Sequence, residues 1–66
     1  MEKLSIKIMI GNRAYSMKVP MEEEQKVRLA AKELNKKISE VGKKMNIQDL
    51  QDILAMISFE LTIDAN

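Results

Sequence analysis

The chain contains no cysteine and no histidine. Without cysteine no disulfide can brace the fold, and the absence fits a reducing compartment. Without either residue a metal site would rest on carboxylates alone, and no acidic cluster has the spacing of a calcium loop. Tryptophan is also missing, and there is one proline, one phenylalanine and one tyrosine. No apolar run approaches the roughly 20 residues that cross a bilayer. Met1-Glu2-Lys3-Leu4 lacks the basic segment and apolar core of a signal peptide. The expectation is a soluble, cytoplasmic protein with no membrane insertion, no metal and no cofactor.

What is present is a short, charge-balanced chain. It has 66 residues, with 11 Lys and Arg against 10 Asp and Glu. A domain of this length buries only about 60% of the surface that its unfolded chain exposes. Small folds close that deficit with disulfides, a metal or a partner chain, and here only the partner chain is left. Nucleic-acid binders carry a basic excess or a basic stripe, whereas over this chain the two signs are interleaved.

Residues 4–10 alternate, with Leu4, Ile6, Ile8 and Ile10 on one side and Ser5, Lys7 and Met9 on the other. A period of two marks a half-buried strand. Gly11-Asn12-Arg13 reads as a loop of about three residues. Tyr15, Met17 and Val19 then alternate with Ala14, Ser16 and Lys18, completing a β-hairpin. Pro20 ends the second strand and suits a helix entry. Glu22, Glu23 and Glu24 follow, where negative charge favours the positive pole of a helix. Val27, Ala30, Ala31, Leu34, Ile38, Val41 and Met45 form one apolar stripe at helical spacing. Glu22 with Lys26 and Glu24 with Arg28 are i, i+4 pairs in the favourable order. Gly42 blurs the endpoint of this helix, and Asn46 is a plausible stop.

A second helix is expected over residues 48–64, and its pattern is the most informative in the chain. Leu50, Ile53, Leu54, Ile57 and Leu61 make one apolar face. Met56, Phe59 and Ile63, with Ala55, make another pointing nearly the opposite way. A hairpin and one other helix cannot cover both. At about 25 cal/mol per Å², burying a Met, a Phe and an Ile contributes several kcal/mol of gross stabilisation. That is comparable with the whole net stability of a small domain. The spacing therefore predicts an oligomer interface at Ala55, Met56, Phe59 and Ile63.

Catalysis has little support. Ser5, Ser16, Ser39, Ser58 and Thr62 are the hydroxyl candidates, and no histidine is available to activate any of them. The acidic residues read as solvated helix exteriors, and Gly11-Asn12 as a turn without a phosphate-loop pattern. Arg13 at the hairpin tip could anchor a protein contact. On position alone it reads as a soluble loop residue, and Lys43-Lys44 as complements to the negative end of a helix.

In order, several stretches resemble one known family. Ile6-Lys7-Ile8-Met9-Ile10-Gly11-Asn12-Arg13-Ala14-Tyr15 resembles the first hairpin of ZapA, the FtsZ-ring-associated bacterial cell-division proteins. Glu22-Glu23-Glu24 followed by Ala30-Ala31-Lys32-Glu33-Leu34-Asn35 is similar to the first helix of that family. Asp49-Leu50-Gln51-Asp52-Ile53-Leu54-Ala55-Met56 is similar to the opening of its second helix. The resemblance implies an α+β head of ββαα order over residues 1–66, followed by a long coiled-coil helix. That helix is expected to continue past Asn66 in a longer parent protein.

The resemblance further implies a non-enzymatic division factor at the mid-cell ring. It would form a homodimer through the second helix, and a tetramer in the full-length protein. It would bind FtsZ filaments, cross-link them and so promote ring assembly. Arg13 matches the family's Arg after the first strand and is the candidate FtsZ contact. Lys43 and Lys44 are a looser match, at the charged end of the first helix. Glu60 departs from the family, which often has a small polar or apolar residue at this seam-adjacent position. The alternative function is a small nucleic-acid-binding ββα module using Arg13, Lys18 and the helix lysines.

Overall fold

The computed structural model describes residues 2–66. In chain order it contains β1 (Lys3–Ile10), β2 (Arg13–Pro20), one 3-10 turn (Met21–Glu23), α1 (Glu24–Met45) and α2 (Leu50–Ala65). This is the α+β, ββαα arrangement that the hydrophobic periods predict. The packing divides into two compact bodies, one ending at Asn35 and the other running from Lys36 to Asn66.

In the first body β1 and β2 pair antiparallel, with Ile10 opposite Arg13 and Lys3 opposite Pro20. The loop is thus two residues, Gly11-Asn12, rather than three, and Arg13 is the first residue of β2. The reason lies in Gly11, whose φ of 63° needs no Cβ clearance. A positive φ at the first loop position alone is the turn that follows the right-handed twist of two strands. Pairs that exchange backbone hydrogen bonds then alternate with pairs that do not, counting back from Ile10 and Arg13. Lys3–Pro20 falls on a pair that exchanges none, so the missing proline N–H disturbs no ladder bond.

Ile6, Ile8 and Val19 are buried on one side of this hairpin, with Leu4, Ile10, Met17, Val27 and Ala31 packed around them. Ser5, Lys7, Met9, Ala14, Ser16 and Lys18 face the other way and are exposed. The first half of α1 is tied to the hairpin by side chains reaching the outward carbonyls of β1. Asn35 donates from Nδ2 to the Met9 carbonyl and accepts the Gly11 N–H on Oδ1, both at 2.7 Å. Arg28 lies 3.5 Å from the Lys7 carbonyl through Nη1 and donates from Nε to Glu24 at 3.0 Å. Among the described residues that is the one ion pair. Glu22 sits in the 3-10 turn before α1, so its pairing with Lys26 is not realised. Val27, Ala31, Leu34, Ile38 and Val41 of the predicted stripe are half-buried, whereas Ala30 and Met45 are exposed.

Asn46 stops α1, as expected, in a left-handed conformation with φ of 55°. Its N–H bonds the Lys43 carbonyl at 3.3 Å, and the Ile47 N–H bonds the Gly42 carbonyl at 2.9 Å. These two bonds satisfy carbonyls that a helix end otherwise leaves free. Helix α2 begins at Leu50 rather than 48 because Asp49 is extended and caps it. The Asp49 carboxylate accepts the Gln51 N–H at 3.0 Å. In this second body Ile53 and Ile57 are buried, and Leu50 and Leu54 half-buried beside them. Gly42 is where the helices meet: a Cβ there would lie 3.1 Å from Ile53 Cδ1 and 3.2 Å from the Ile47 carbonyl oxygen. Leu61, expected on the covered face, is 54% exposed.

Two stability predictions follow from these contacts. Asn35→Ala removes both ties to the turn and should lower stability by about 1–2 kcal/mol. Amide exchange at Gly11 should accelerate in the same variant; an unchanged melting curve and unchanged Gly11 exchange would refute the clamp. Gly42→Ala should bring none of the roughly 1 kcal/mol that alanine gains over glycine in a helix, because its Cβ crowds Ile53 and a backbone oxygen. Gly42→Leu should lower the melting temperature outright, and a rise in either variant would contradict the close approach.

Candidate functional site

Helix α2 is apolar on nearly every side, which no helix packed on one face requires. Its first face is the covered one, with Ile57 only 3% exposed. The second face is open: Phe59 is 59% exposed and Ile63 55%. Among the described residues no side chain anywhere is completely buried. A core this thin leaves the exposed apolar side chains as a substantial reserve of unburied surface.

The open face forms one wall of a groove of about 350 Å³. Met56, Phe59 and Ile63 line it from α2, and Val41 and Met45 from the last turns of α1. Three of the four residues expected at an interface are therefore brought together, while Ala55 is exposed and lies outside the groove lining. The contribution of Val41 and Met45 was not evident in sequence, where both belong to the single apolar stripe of the first helix. The signal was present in Met45, the last residue before the Asn46 stop, where no further turn remains to shelter it.

Two charges also line the groove, Lys44 and Glu60. Lys44 is thus drawn to the apolar face, and Glu60 stands at its margin. Lys43 is exposed in the last turn of α1. Arg13 is exposed at the start of β2, in the hairpin body.

Chemically the groove suits apolar side chains and little else. Thr62, one of the hydroxyl candidates, donates to the Ser58 carbonyl one turn back at 2.8 Å, a bond within the helix. No group of three or more Asp or Glu that could hold a metal occurs among the described residues. No helix among them is long and apolar enough to cross a membrane.

Neither a curated protein nor a solved structure gives a significant match to the chain. Residues 6–65 match the family model described as cell division protein ZapA. The match takes in β2 and α1 whole, most of β1 and all of α2, in the order the structure shows. By that span the chain belongs to the ZapA family, a non-enzymatic family of cell-division proteins associated with the FtsZ ring.

Proposed function

We propose that this protein forms a homodimer through the open face of α2 and that the dimer binds and cross-links FtsZ filaments in the cytoplasm at the division septum. The observation that carries the reading is the groove of Met56, Phe59 and Ile63 completed by Val41 and Met45. A second copy of α2 laid there would remove from water Phe59, Ile63 and Met45, three of the large apolar side chains that are exposed. The reading requires no bond chemistry.

Arg13 and Lys43 are the candidate FtsZ contacts; Lys44, the third cation considered, lines the groove that the second copy would fill. Arg13 and Lys43 are both exposed and suited to acidic side chains on a filament surface. A symmetric dimer would present each of them twice. Two linked contacts hold a filament far longer than one, and they allow neighbouring filaments to be bridged. In a longer parent chain, continuation of α2 as a coiled coil would pair dimers into tetramers and widen that reach.

Co-sedimentation with FtsZ polymers tests the proposal. The wild-type chain should pellet with the polymers and increase the mass of bundled FtsZ. Phe59→Asp places a carboxylate in the groove and should give a folded monomer that still pellets but no longer bundles. A monomeric Phe59→Asp protein that bundles as well as wild type would overturn the dimer as the cross-linking unit. Arg13→Glu should weaken pelleting while leaving the dimer mass unchanged; undiminished pelleting would remove Arg13 from the contact.

A further inference from the structure

We propose that the open edge of β2 accepts an extended, acidic segment of a partner protein as a third strand. The inference uses no residue of α2 and would hold for a monomer, so it stands or falls apart from the dimer.

The geometry of the hairpin supplies the edge. Among the described residues the sheet has two strands, so β2 has β1 on one side and no described strand on the other. With a two-residue loop, Arg13, Tyr15, Met17 and Val19 turn their backbone groups toward β1, and Ala14, Ser16 and Lys18 turn theirs outward. The same alternation sends the Lys7 and Met9 groups of β1 outward, and it is their carbonyls that Arg28 and Asn35 approach. The two edges are therefore unequal. That of β1 is occupied by α1 side chains, whereas no side chain among the described residues bonds the outward groups of β2. Ala14 and Ser16 are small and exposed, which leaves this row of donors and acceptors accessible.

The charge selects the occupant. Interleaving of signs holds for the chain as a whole but not for the hairpin, whose strands and loop carry Lys3, Lys7, Arg13 and Lys18 and no acidic residue. Lys7 and Lys18 share the exposed face with Ser5 and Ser16 across the ladder. A second copy of this hairpin would bring cation against cation, which disfavours edge-to-edge pairing of the protein with itself. A strand with carboxylates on alternate residues meets the opposite situation: main-chain bonds supply affinity, and the lysine face supplies selection. A nucleic acid would satisfy the charge but not the backbone ladder.

The test is an NMR titration of the isotope-labelled chain with a synthetic peptide alternating valine and glutamate over about ten residues. Binding should slow amide exchange at Ala14, Ser16 and Lys18 and weaken with salt. Methylating every backbone nitrogen of the peptide keeps its charge and removes its donors, and should weaken binding by about tenfold or more. Ser16→Pro should do the same, since Pro20 already occupies an outward position of β2. Should that variant not fold, the methylated peptide decides alone. No saturable binding at millimolar peptide, equal binding of the methylated peptide, equal binding of an oligothymidylate of the same length, or protection confined to Lys7 and Met9 would each overturn the proposal.

Discussion

Apolar surface must be taken out of water by something, and in a chain of 66 residues the elements able to do so are few. A two-stranded hairpin shelters one face of half a helix; half a helix shelters one face of another. Each body here spends its only covering element on one contact, Ile6, Ile8 and Val19 in the first and Ile53 and Ile57 in the second. Phe59, Leu61 and Ile63 of α2 stay exposed. No disulfide offsets this deficit, and the open face of Met56, Phe59 and Ile63 is the feature on which the proposed dimer depends.

The supports of the fold are correspondingly local and polar. Asp49 fixes where α2 starts, Asn46 where α1 stops, and Asn35 holds the hairpin turn against α1. Single hydrogen bonds of this kind contribute about 1 kcal/mol each. In a large domain such contributions are minor beside the core. Here, among the described residues, the core is five residues with no side chain completely shielded, and the polar ties carry a larger share.

Much of this was readable from residue spacing. The period of two assigned every face of β1 correctly, because burial on one side of a sheet leaves no other register open. Asn46 was readable as a helix stop because αL tolerance is a property of the residue itself. Features that depend on distant partners were not readable. Nothing near Asn35 in the chain reveals that its amide meets a turn more than twenty residues earlier. Gly42 only blurred the end of a helix in sequence, and in the structure it is a point where a Cβ would crowd Ile53. The third loop residue was lost because Arg13 pairs with Ile10 once Gly11 alone supplies the turn. For the candidate interface, the sequence placed Phe59, Met56 and Ile63 on one side of α2, but only the fold brought Val41, Met45 and Lys44 beside them.

Two surfaces of different character result: an apolar groove on the helix pair and a cationic open edge on the hairpin. They suit different occupants, a second copy at the groove and an acidic strand at the edge. Self-association is the central proposal for this chain, and sedimentation equilibrium of the wild-type chain over a range of concentrations measures it directly. The chain of 7.6 kDa is predicted to sediment at twice its own mass and to dissociate toward one chain only on dilution. A folded species at 7.6 kDa across that whole range would contradict it.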